Sequence, residues 1–205
     1  MRIALIAEGK TEKVFLPFLK KFIDGRLAGE NRPLPKITAS VYDGRIPTDQ
    51  KLRRVVDKLL ADGNDHVIAL TDVYTGKNPP EFLDAADAKA KMRRWVGPEP
   101  RFHPHAAQHD FEAWLLPYWE TIRRLAKATQ VKAPWGAPEQ VNHGKPPARR
   151  LEEIFEAGKS RDSYWKTRDA ARILRDNDLS LAVSQCPQLR DLINTILRVC
   201  GGTEV

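Results

Sequence analysis

The sequence predicts an α/β domain built on a mostly parallel sheet flanked by helices, with a helical C-terminal extension. Three observations carry this. Short apolar runs at Arg2–Ala7, Lys36–Tyr42 and His66–Thr71 are separated by helical patterns, an order that gives right-handed crossovers between parallel strands. Two of the three runs end on an acid, Glu8 and Asp72. Beyond residue 128 strand-like runs give way to helical stripes, so residues 1–128 read as the α/β domain and 129–205 as a loop and helices packed on it.

In chain order, Arg2–Ala7 is continuously apolar, as in a strand buried on both faces. Gly9 permits a tight exit, and a helix follows from Thr11 to about Asp24 with Val14, Phe15, Phe18, Leu19 and Phe22 at helical spacing. Gly9-Lys10-Thr11 imitates the end of a phosphate-binding loop. That motif needs an earlier glycine where Ala4 stands, so it is rejected. Asp24 to Pro35, rich in Gly, Asn and Pro, reads as a loop. Lys36–Tyr42 is the second strand, closed by Asp43-Gly44, and a helix from Thr48 to Asp62 presents Leu52, Val55, Val56, Leu59 and Leu60 on one face.

His66–Thr71 is the central strand, ending at Asp72, and a polar helix follows over about Glu81–Trp95. Arg101–Ala107 reads as a strand in which Pro104 points to an edge position or an irregular course. Gln108–Leu116 turns into a helix whose start carries Asp110 and Glu112, residues that also suit a helix dipole. Thr129–Pro147 is a long loop around Trp135. Three helices then span Ala148–Gly158, Ser163–Asn177 and Pro187–Cys200.

Composition narrows the class. A net charge of +7 in 205 residues favours polyanionic partners, nucleic acid first, without fixing a fold. No apolar run approaches the roughly 20 residues that span a bilayer, and Glu8 interrupts the N-terminal run too early for a secretory signal. Cys186 and Cys200 are the only cysteines and lack zinc-type spacing, which suits a reducing compartment, so a cytoplasmic location is expected.

The chemistry-bearing residues gather at strand ends. In an open α/β sheet ligands bind at the carboxyl ends of the strands. Glu8 and Asp72 stand there, and if their strands are neighbours they can share a divalent ion. Glu12 reads equally as a first-turn capping acid or as a further ligand. His103 and His105 share one face of a strand, but the nearby sequence adds no cysteine, so zinc is disfavoured. Tyr164 and Trp165, amid Lys159, Arg161, Lys166 and Arg168, fit either a stacking and phosphate-binding patch or an anchor for the C-terminal helices.

Three segments together resemble a known group: Ile6-Ala7-Glu8-Gly9-Lys10-Thr11-Glu12, Leu70-Thr71-Asp72-Val73-Tyr74-Thr75-Gly76 and Gln108-His109-Asp110-Phe111-Glu112-Ala113-Trp114. They are similar to the motifs of a Toprim-like bacterial family of unknown function. That family is often encoded beside AAA/ABC-type ATPases and is related to the nuclease domains of overcoming-lysogenization-defect proteins. Lys145-Pro146-Pro147-Ala148-Arg149-Arg150-Leu151 and Gln185-Cys186-Pro187-Gln188-Leu189 resemble two helix starts of the same family, so the likeness covers most of the chain.

The resemblance implies a Toprim-type fold with Mg²⁺ (or Mn²⁺) held by acidic residues. Glu8 matches the first-strand glutamate and Asp72 the first aspartate of an Asp-x-Asp motif. Tyr74 stands where the second aspartate belongs, removing a hard oxygen ligand, and Glu112 is the candidate replacement, with Glu12 in reserve. The expected function is Mg²⁺-dependent phosphodiester cleavage of DNA or RNA, as the effector of a phage-defence pair with an ATPase. Catalysis falls to Glu8, Asp72 and Glu112, with Lys10, Lys77, Lys145, Arg149 and Arg150 as phosphate contacts. The rival expectation is a non-catalytic module that docks on an ATPase or binds nucleic acid; a receiver-like phosphotransferase lacks an acceptor.

Overall fold

Along β1 (Arg2–Glu8) successive side chains point to opposite sides of the sheet, and both sides are apolar. Ile3, Leu5 and Ala7 join one core with Phe15, Leu19, Ile23 and Leu27 of α1 (Gly9–Gly29). Ala4 and Ile6 join a second core with Leu52 and Val56 of α2 (Asp49–Ala61) and Met92 and Val96 of α3 (Ala85–Val96). The unbroken apolar run is therefore the signature of the middle layer of three. The structure is a computed structural model, which describes residues 1–42, 44–128, 130–133, 136–158 and 163–205.

β2 (Lys36–Tyr42), β3 (His66–Asp72) and β4 (Phe102–Ala107) complete a four-stranded sheet in the order β2-β1-β3-β4, with every pairing parallel. β1 and β3 are direct neighbours, with Ala7 opposite Leu70, so Glu8 and Asp72 emerge side by side at the same edge. β4 is an edge strand, a position that suits Pro104, since proline has no N–H to donate to a neighbouring strand.

After β4 the chain passes through a 3-10 helix (Phe111–Tyr118), α4 (Trp119–Ala126), α5 (Pro147–Ala157), α6 (Lys166–Arg175), α7 (Leu179–Gln185) and α8 (Pro187–Val199). Their apolar faces, including Leu151, Phe155, Ile173, Leu189, Ile193 and Ile196, join the α1 core rather than forming one of their own. Trp114 sits in that core at 1% exposure, 5.7 Å from the Phe15 ring and 5.6 Å from Phe111. Its indole Nε1 donates to Glu139 Oε1 at 2.7 Å, and the same carboxylate accepts from the backbone N–H groups of Gln188 (2.8 Å) and Leu189 (3.3 Å). One glutamate of the long loop thus both anchors that loop to the core and satisfies open donors in the first turn of α8.

Several boundaries differ from the expectation. α1 continues past Asp24 to Gly29, because Ile23 and Leu27 extend its buried face while Gly25 lies on the exposed side. The loop is only the stretch before β2. α3 starts at Ala85, not Glu81, where Asp84 accepts from Asp87 N–H at 2.8 Å as an N-cap. α6 starts at Lys166, not Ser163. The short α7 has no counterpart in the sequence pattern; Asp178 caps it by accepting from Ser180 N–H at 2.6 Å. Trp135, Lys159 and Arg161 lie outside the described residues.

Candidate functional site

Glu8 leaves β1 with its carboxylate held by β3: Thr71 Oγ1 donates to Glu8 Oε2 at 2.6 Å, and the Asp72 N–H approaches the same oxygen at 3.4 Å. The turn into α1 needs Gly9, whose φ is +89°, and a Cβ there would stand 2.9 Å from Glu12 Oε2. The missing side chain is what lets the Glu12 carboxylate fold back over the turn. Asp110, the N-cap position of the 3-10 helix, accepts from Ala148 N–H of α5 at 3.1 Å. Glu112, 1% exposed, faces Tyr164 Oη and Lys166 Nζ, each 3.5 Å from its Oε1. Glu8, Glu12, Asp72, Glu112, Lys10 and Lys166 line one open pocket of about 480 Å³ at the sheet edge.

Burial raises the proton affinity of all these carboxylates, and for Asp72, Asp110 and Glu12 neighbouring acids raise it further. Burial is the largest cause for Asp72, followed by the charges of Glu12, Glu8, Asp110 and Glu112, and its carboxyl is pushed well above the usual range. Burial and then Glu112 push Asp110 up to about 8, and burial with Glu112 and Glu8 pushes Glu12 up to about 8. Burial raises Glu8 and Glu112 as well, against the hydrogen bond from Thr71 and the charge of Lys166 respectively. Burial pulls Lys166 down, but Glu112, Asp110 and Asp72 outweigh it and hold the ammonium charged. Asp72 Oδ1 and Asp110 Oδ1 are shielded from solvent and lack a hydrogen-bond partner.

A pH dependence follows. These acids bind protons more tightly folded than unfolded, so across the window from about pH 4 to about 8 unfolding releases protons and stability falls as pH rises. In chelator the melting temperature should be lower at pH 8 than at pH 6. A flat or rising melting temperature over that window, measured by calorimetry, would contradict the assignment.

The donor set, carboxylate oxygens alone, is the chemistry a hard divalent ion takes, and the two unpartnered oxygens are what such an ion would satisfy. As the side chains stand, however, among the described residues no three His, Cys, Asp or Glu groups are close enough to hold one ion. Tyr74, at the Asp-x-Asp position, stacks on His109 with ring centroids 5.1 Å apart and planes 16° apart.

The expected phosphate contacts separate. Lys10 is exposed in the pocket wall. Lys77 lies 3.8 Å from Glu81, Lys145 pairs with Glu153 at 2.6 Å, Arg149 with Glu152 at 2.9 Å, and Arg150 Nε donates to the Lys145 carbonyl at 3.3 Å. The residue the motifs did not single out is Lys166. Its only sequence signal was a place in the aromatic–basic stretch, whereas here it reaches a buried glutamate from α6. Of the histidines weighed for zinc, His103 Nε2 meets His66 Nδ1 at 3.1 Å and His105 Nδ1 lies 3.3 Å from Asp191 Oδ2.

A family model described as a domain of unknown function, DUF4276, matches residues 7–197, from the end of β1 into α8. The chain belongs to the DUF4276 family. The segments carrying Glu8, Asp72, Glu112 and Lys166 all fall inside the DUF4276 match. In fold the chain is similar to the C-terminal region of the Burkholderia pseudomallei OLD protein, with a TM-score of 0.52 at 12% identity over 97% of this chain and 98% of that one. No curated protein matches. Among the described residues no helix is long and apolar enough to cross a membrane.

Proposed function

We propose that this DUF4276 chain is a Mg²⁺- or Mn²⁺-dependent nuclease in which Glu8, Asp72 and Glu112, with Glu12 as a further ligand, would hold the ion once their side chains draw together. The observation that carries the reading is the gathering of mutually repelling acids, two of them with unpartnered buried oxygens, at the ligand-binding edge of a parallel sheet in a basic protein. The bound ion would supply charge neutralisation at a phosphodiester and activation of water. The chain's own residues do the rest. Thr71 and the Asp72 N–H fix the Glu8 carboxylate, Lys166 presents a charged ammonium beside Glu112 for a phosphate oxygen, and Lys10 adds a cation at the rim. The likeness to the OLD region and the motif resemblance support a nucleic-acid substrate and an AAA/ABC-type ATPase partner in phage defence.

A second reading keeps the fold and drops the reaction: a module that docks on an ATPase or binds nucleic acid. Tyr74 in place of an acid and the absence of three convergent donors among the described residues favour it. Incubation with single- and double-stranded DNA and RNA separates the two. The nuclease cleaves in Mg²⁺ or Mn²⁺ and stops in chelator. Intact substrates in both ions, with and without an ATPase, would leave the module.

A further inference from the structure

Trp165 leaves 64% of its surface exposed, while the other described aromatic side chains are buried or half-buried. Tyr164, its neighbour, is buried at 8% exposure, packs 5.4 Å from Phe155 and points its hydroxyl to Glu112. The extended backbone at Trp165 sends consecutive side chains to opposite sides, so one ring is buried against Phe155 and Glu112 and the next stands in solvent.

The exposed ring is held in place. Asp169, wholly buried, accepts from the Trp165 backbone N–H at 2.8 Å and grips Arg168 through Nε (3.0 Å) and Nη2 (2.9 Å) and Arg172 through Nη1 (3.3 Å). The Arg168 guanidinium lies 5.7 Å from the indole centroid. One buried carboxylate therefore orders an aromatic face and two cations. The next two residues along the chain, Lys166 and Thr167, line the acid pocket. A rigid π-face among cations, one residue from a phosphate-cleaving site, has the make-up of a base-stacking platform.

We propose that Trp165 stacks an unpaired base of the substrate and makes single-stranded nucleic acid, or a frayed end, the preferred form at the acid pocket. The inference rests on the nuclease reading for the chemistry but not for the binding. A duplex keeps its base faces inside the stack and offers only backbone to the arginines, so discrimination between the two forms falls to the indole.

The test is fluorescence polarisation of a short labelled single strand and its duplex, in Mg²⁺, with full-length protein carrying Asp72→Asn so that substrate survives. The expected result is tighter binding of the single strand. Adding Trp165→Ala should weaken that binding by about 5- to 150-fold, the range of one base–aromatic stack, with Trp165→Phe losing less. Duplex affinity and melting temperature should not move, because the ring is exposed. Unchanged single-strand affinity in Trp165→Ala, preference for duplex, or no binding of either form would overturn the proposal; the first would point to a protein as the partner of the exposed ring. Cleavage by wild type with unchanged Trp165→Ala affinity sinks this inference alone. Trp165-dependent binding without cleavage in either ion sinks the nuclease reading alone.

Discussion

Asp72→Asn should abolish cleavage and stabilise the fold in the same molecule. The substitution removes a candidate ligand, and loss of several kcal/mol of charge stabilisation in the transition state lowers the rate about a thousandfold. It also removes an acid whose proton affinity burial and the charges of Glu12, Glu8, Asp110 and Glu112 all raise, and whose Oδ1 has no partner. In chelator near pH 8 the variant should therefore melt about 2–4 °C higher than wild type, the shift that about 1 kcal/mol produces in a chain of this size. Added Mg²⁺ should narrow or reverse the difference, because only wild type gains from the ion. A variant that cleaves normally, or that melts lower in chelator, would show that Asp72 is a structural acid. Such opposition between activity and stability is the ordinary signature of a site where like charges are held together for function.

Trp114→Ala should cost about 3–5 kcal/mol of unfolding free energy, the range for deleting a large buried aromatic. The ring is 1% exposed and packs on Phe15 and Phe111. Its removal also takes the indole donor from Glu139, whose carboxylate is raised by burial and holds the first turn of α8. Trp114→Phe should lose less, since ring contacts remain and the Gln188 and Leu189 N–H groups still reach Glu139. Urea denaturation checks both, and a cost below about 1 kcal/mol for the alanine variant would mean that the loop and α8 are anchored elsewhere.

Much of this architecture is legible in the sequence because strand burial and strand order leave local marks. Arg2–Ala7 and His66–Thr71 are apolar runs joined by crossovers, which puts Glu8 and Asp72 at the same edge of the sheet; that β1 and β3 are direct neighbours comes from the sheet order and not from the sequence pattern. What escaped reading lacks local marks. Gly25 and Gly29 looked like the end of α1, yet the buried stripe at Ile23 and Leu27 carries the helix onward. α7, at seven residues, is too short to show a period. Lys166 joins Glu112 only through tertiary packing, and Asp110, which reads as a first-turn acid, stands at the N-cap position without a side-chain bond to its own helix, accepts from Ala148 N–H of α5 and adds charge to the cluster. Tyr164 and Trp165 read together as either a patch or an anchor, whereas the chain divides them between core and solvent.

Calorimetric titration of Mg²⁺ and Mn²⁺ into the protein, beside a Glu8→Gln, Asp72→Asn double variant, tests the central claim most directly. A carboxylate metal site predicts saturable binding by wild type at pH 8 that weakens toward pH 6, as protons compete for the same oxygens, and that is lost in the double variant. Absence of binding by wild type, with or without oligonucleotide, would contradict the metal centre and leave the DUF4276 chain as a docking or nucleic-acid-binding module.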